Sequence, residues 1–145
     1  MTLPVTGRLA AARPPWYAAP LAACDQVAVA PVPPGWRVTG RTRIRGDGPY
    51  LAAHFPGLTI FPGVFVLEAV VQAVGQALGD RAGRPLRLAE LGSLRLRTPL
   101  FPGDWLCLRA EVVPEPDRSV VVRAGCRRDD GVPAAGLTLR CRWSR

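Results

Sequence analysis

One stretch constrains the fold more than any other. Residues 63–79 read Gly-Val-Phe-Val-Leu-Glu-Ala-Val-Val-Gln-Ala-Val-Gly-Gln-Ala-Leu-Gly, the most apolar run in the chain. Pro62 suits the first position of a helix, because its missing N–H has no intrahelical partner to lose. Gly79 suits a C-terminal cap, so the spacing predicts one long helix from Pro62 to about Gly79. The run is marginally short for a membrane span and is interrupted by Glu68, Gln72 and Gln76. A helix that is apolar almost all round must be covered on several sides.

The rest of the chain supplies the cover, because its period is two. Trp36–Arg45 places Arg41, Arg43 and Arg45 on one face and Thr42 and Ile44 on the other. Leu94 and Leu96 alternate with Arg95 and Arg97, and strands are also predicted over Trp105–Val113 and Ser119–Cys126. Leu137–Trp143 alternates cleanly, with Leu137, Leu139, Cys141 and Trp143 on one side. Leu21–Ala30 reads as a helix or turn followed by a strand. Turns are expected at Pro33-Pro34, Gly46–Pro49, Pro99–Asp104 and Asp129–Gly131. Short strands joined by hairpins make an antiparallel sheet, which must wrap the one long helix. The fold class is therefore α+β, and residues 1–145 form a single domain, since 145 residues leave no room for two.

Composition narrows the chemistry. The net charge is +8, and all nineteen basic residues are Arg. Without lysine, Schiff-base and Walker-type chemistry are excluded. The four cysteines (Cys24, Cys107, Cys126 and Cys141) form no C-x-x-C pair and sit in apolar surroundings, so they read as reduced core residues. With one histidine and no ligand pair at metal spacing, no metal site is expected. The first nineteen residues lack an uninterrupted apolar segment, so they do not read as a signal peptide. A cytoplasmic protein is expected, with no membrane partner.

Reactive groups concentrate between His54 and Gln76. His54 is the only histidine. Glu68 lies on an otherwise oily helix, where a carboxylate must be paired, hydrogen-bonded or protonated. Burial there would raise its pKa, as a general acid near neutral pH requires. Gln72 and Gln76 follow at four-residue steps and complete a polar stripe. Gly63 falls in the first helical turn, where an N–H lacks an intrahelical acceptor and no side chain obstructs an approaching carbonyl. A base, an acid and an oxyanion donor are the set needed to abstract a proton alpha to a thioester carbonyl.

The segment Ala53-His54-Phe55-Pro56-Gly57-Leu58-Thr59-Ile60-Phe61-Pro62-Gly63-Val64-Phe65-Val66-Leu67-Glu68-Ala69-Val70-Val71-Gln72 resembles the hallmark of the hotdog-fold 3-hydroxyacyl-acyl-carrier-protein dehydratases, G-H-F-P-G-x-P-I-x-P-G-V-L-x-x-E-A-x-A-Q. Two weaker echoes extend it, at Pro20–Val27 and at Leu94–Asp104. The resemblance implies a hotdog fold and a dehydratase making a trans-2-enoyl thioester, in fatty-acid-like or polyketide biosynthesis. It implies that His54 removes the alpha proton and that Glu68 protonates the leaving hydroxyl. It further implies that the Gly63 N–H polarises the thioester carbonyl and that the Ile60 carbonyl orients the imidazole, with Gln72 in support. Glu rather than Asp at position 68 is similar to the dehydratase-only branch.

Leu58, Phe61 and Phe65 would line the acyl tunnel. Gly48, Ala53, Thr59 and Phe61 depart from the family's pattern, and with Leu58, Thr59 and Phe61 on the loop bordering the tunnel a shifted chain preference is implied. No cofactor is implied beyond the phosphopantetheine arm of an acyl carrier protein, the expected partner. Acid and base meet across a two-fold axis in such enzymes, which implies a homodimer or higher oligomer, or a heterodimer with a second hotdog subunit. Three other readings are weaker. A non-catalytic partner subunit would usually have lost the acid or the base, and a thioesterase fits the H-F-P-G…E pattern less well. For a nucleic-acid binder, the Arg41/Arg43/Arg45 face has no accompanying recognition motif, so no nucleic acid is expected.

Overall fold

A computed structural model describes residues 10–11, 23–46, 60–82 and 84–145. The described strands are β1 (Ala10–Ala11), β2 (Gln26–Val32), β3 (Gly35–Arg43), β4 (Leu86–Leu96), β5 (Trp105–Pro114), β6 (Ser119–Arg128) and β7 (Pro133–Trp143). Among the described residues one helix, α1 (Gly63–Ala82), lies between β3 and β4. All strands join one sheet in the order β1-β2-β3-β5-β6-β7-β4, and every pairing is antiparallel.

Turn chemistry fixes the hairpins. Pro33-Pro34, joined by a cis peptide bond, connects β2 to β3. Gly103 and Gly131 adopt φ of 94° and 88° in the turns before β5 and β7, a conformation that costs glycine nothing. In the first of these turns the Phe101 N–H donates to Asp104 Oδ2 at 2.8 Å. The alternation read from the sequence holds: Thr42 and Ile44 are buried, while Arg43 and Arg45 are exposed. Leu137, Leu139 and Cys141 are buried as well.

Element boundaries moved for identifiable reasons. The helix begins one residue later than expected, and the Pro62 carbonyl caps it by accepting from Phe65 and Val66. It also runs past Gly79 to Ala82, because Gly79 keeps a negative φ and does not cap. Pro85 is the nearer barrier, since the residue before a proline disfavours the helical region. Strand β7 starts four residues before Leu137, where Pro133–Gly136 pair with β6 and β4 despite weak strand propensity.

The core lies between α1 and the inner face of the sheet. Val66, Ala69, Val70, Ala73, Val74, Ala77 and Leu78 recur at helical spacing and are buried against Leu106, Leu108, Val112, Val122 and Leu139. The alanines at four-residue intervals let the helix approach the strands closely. Coverage is one-sided within the chain, however. Val64 is 62% exposed, and Glu68, Gln72, Gly75, Gln76 and Gly79 are half-buried along the same side. The sheet also ends on an open edge, where Leu88, Leu91 and Leu96 of β4 are exposed.

Candidate active site

The start of α1 sets the geometry. Because Pro62 is the capping residue, Gly63 is the first residue of the helix, and its N–H has no acceptor within it. The Phe61 N–H donates to the Leu100 carbonyl at 2.8 Å, tying the entry to the loop before β5. Phe61 and Phe65 meet edge-to-face with centroids 5.6 Å apart. They form a half-buried aromatic pair beside Gly63, where the acyl tunnel was expected. Leu96 closes the other side: a Cβ added to Gly63 would stand 2.5 Å from Leu96 Cδ1. No sequence signal marked Leu96, which reaches Gly63 only because β4 returns alongside the helix.

Glu68 is half-buried rather than buried in the single chain, and it is held by its neighbour one turn on. Gln72 Nε2 donates to Glu68 Oε1 at 2.8 Å. Gln72 Oε1 in turn accepts from the Ala23 N–H, also at 2.8 Å. A backbone N–H can only donate, so it fixes which end of the Gln72 amide faces Glu68. The Glu68 carboxyl is thus presented to the Gln72 amide group through Oε1. The polar stripe suggested Gln72 as a support, but its partner at Ala23, 49 residues away in sequence, could not have been read.

Ile60 is half-buried just before the helix. His54 and Leu58, with Ala53 and Thr59, lie outside the described residues. The structure therefore brings Gly63, Phe61, Phe65 and Leu96 together at the helix start, with Glu68 and Gln72 along the next turns.

Other groups are engaged elsewhere. All four cysteines are free and buried. Burial pushes the thiols of Cys24, Cys126 and Cys141 up to about 12 and raises that of Cys107, which removes them as nucleophiles. Among the described residues no group of His, Cys, Asp or Glu could hold a metal ion, and no helix is long and apolar enough to cross a membrane. The Arg41 guanidinium lies 4.5 Å over the Trp105 ring, and Arg41 is half-buried.

A sheet wrapped on one long helix, with a glycine at the helix start and a carboxylate in the second turn, is the architecture of a hotdog-fold protein. Residues 34–131 match the ApeI-like family of ApeI dehydratases, and the chain belongs to this family of hotdog-fold dehydratases. It is 35% identical over 109 residues to the 3-hydroxyacyl-acyl-carrier-protein dehydratase FabZ of Vibrio atlanticus, covering 72% of each chain. It is 30% identical over 110 residues to FabZ of Solibacter usitatus, covering 73% of this chain and 67% of that one. Among solved structures it is similar to the dehydratase heterocomplex ApeI:P from Xenorhabdus doucetiae. The TM-score is 0.57 at 17% identity, over 73% of this chain and 87% of that one, which bears out the hotdog fold.

Proposed function

We propose that this dehydratase removes water from a 3-hydroxyacyl thioester carried on the phosphopantetheine of an acyl carrier protein, giving the trans-2-enoyl thioester. The observation that carries the reading is the Ala23–Gln72–Glu68 relay on the helix that Gly63 opens, where a first-turn N–H has no intrahelical acceptor. His54 takes the C2 proton, and the electron pair moves toward the thioester carbonyl, where the Gly63 N–H stabilises the developing oxyanion. The electron pair then returns to form the C2–C3 double bond, the C3–O bond breaks as Glu68 protonates the leaving hydroxyl, and water departs. The Ile60 carbonyl sets the imidazole tautomer. Leu58, Phe61 and Phe65 line the acyl tunnel. The reaction is redox-neutral and needs no dissociable cofactor, and the protein works in the cytoplasm.

Each site is shared by two subunits. Along the Glu68 side of α1 Val64 is exposed and Glu68 is only half-buried, and β4, which pairs with β7 alone among the described strands, presents exposed leucines at the sheet edge. A second hotdog chain continuing the sheet at β4 would cover both. The partner is a second copy of this chain, with a heterodimer as the second reading, supported by the heterocomplex among its structural neighbours.

The test is incubation with 3-hydroxyacyl carrier proteins of several chain lengths, followed by mass spectrometry. Loss of water from the acyl arm is expected with wild type and not with His54→Ala or Glu68→Gln. Equal inertness of all three, with a correctly assembled dimer, would overturn the reading.

A further inference from the structure

The outer face of the sheet, turned away from α1, carries a second feature that dehydration does not use. Arg95, Gly136, Gly125 and Arg109 lie in one register row across β4, β7, β6 and β5. The two glycines leave a gap in the middle, since a Cβ added to either would meet nothing within 4 Å. Glycine in a strand interior weakens the strand and often marks close approach of a ligand or another backbone. Arg123 and Arg127 stand two residues to either side of Gly125 on β6, and both are exposed.

These positions form a frame. Arg95 and Arg109 are three strand spacings apart, about 14 Å, and Arg123 and Arg127 are four residues apart, about 13 Å. Four arginines thus line an open groove of about 510 Å³ with the two glycines between them. The charge within it is poorly neutralised. Glu111 is its one carboxylate, and Glu111 is already shared by Arg37 at 2.7 Å and Arg109 at 3.4 Å. Arg127 donates to the Gly131 carbonyl, while Arg95 and Arg123 form no ion pair among the described residues.

We propose that this groove binds a diphosphate group. Arg forks match phosphate oxygens in pairs, and a frame of four around a glycine floor suits two linked tetrahedral anions better than one. A second copy of the chain is disfavoured as occupant, because it would bring arginine against arginine. Extended nucleic acid is disfavoured because no aromatic side chain lines the groove for base stacking.

The proposal is tested by calorimetric titration of the intact protein with pyrophosphate, ADP and sulfate at 150 mM salt. Pyrophosphate is expected to bind at least tenfold more tightly than sulfate. Comparable ADP binding identifies a diphosphate ester as ligand, and pyrophosphate binding alone identifies the free anion. Gly125→Glu fills the gap with a carboxylate where there is space for it, so the fold should survive. It should weaken pyrophosphate at least tenfold, as should Arg95→Ala combined with Arg123→Ala, whereas Arg145→Ala should not. Pyrophosphate binding no better than sulfate, or unchanged by Gly125→Glu in a folded protein, overturns the proposal. So does tighter binding of duplex RNA through the same arginines.

Discussion

Replacing Gln72 separates what holds the site in place from what performs the chemistry. In Gln72→Leu the Ala23 N–H, on a residue only 3% exposed, loses its acceptor, and Glu68 loses its donor. An unsatisfied buried N–H costs ~1–3 kcal/mol. For a chain of this size that lowers Tm by about 2–10 °C. Glu68 also loses this positioning contact, and a misplacement of about 1 Å can cost on the order of 100-fold in kcat/KM. Gln72→Glu divides the two effects. Its carboxylate still accepts from Ala23, so stability should be largely retained. It faces Glu68 with a second negative charge instead of a donor, so kcat/KM should fall as it does in Gln72→Leu. The assays are thermal unfolding followed by circular dichroism and kcat/KM on a 3-hydroxyacyl carrier protein. If Gln72→Leu keeps the wild-type Tm and activity, or Gln72→Glu keeps the wild-type kcat/KM, the relay has no role and the reasoning fails.

Other outcomes follow from particular contacts. Glu68→Gln should lower kcat/KM by about 10²–10⁴-fold, the usual worth of a positioned acid, with Tm nearly unchanged. Gly35→Ala should destabilise the fold by ~2 kcal/mol or more, because the added methyl falls on the Val112 backbone carbonyl. Gly125→Ala, with open space above it, should leave the urea midpoint unchanged or raised. Leu88→Glu with Leu91→Glu on the β4 edge should convert the assembly to monomers by light scattering and abolish turnover; an active monomer would refute a site shared by two chains. Stability should also fall at high pH. The thiols of Cys24, Cys126 and Cys141 are raised from 9.0 to about 12, so they stay protonated in the folded protein while the unfolded chain ionises. Their contribution is complete below pH 9 and is lost between pH 9 and 12, by roughly 1 kcal/mol per thiol per pH unit. Equilibrium denaturation at pH 8 and pH 10 measures it, and equal stability would refute it.

The sequence alone determined the elements and the chemistry. Period-two alternation in Trp36–Arg45 and Leu137–Trp143, against one apolar run after Pro62, specifies strands around a helix, because side-chain periodicity is a local property of the backbone. The positions of Glu68 and Gly63 were legible for the same reason: a carboxylate amid apolar neighbours falls on the helix, and a glycine after a proline falls at its start. Tertiary structure decided what depends on distant partners. Ala23 reaches Gln72, and Leu96 reaches Gly63, only once β2 and β4 lie beside the helix. Gly125 and Gly136 look like ordinary weak points in two separate strands until register sets them side by side between Arg95 and Arg109. Hydrophobic patterning sets which face of a strand is buried, but which strands become neighbours follows from how the whole sheet closes on its helix.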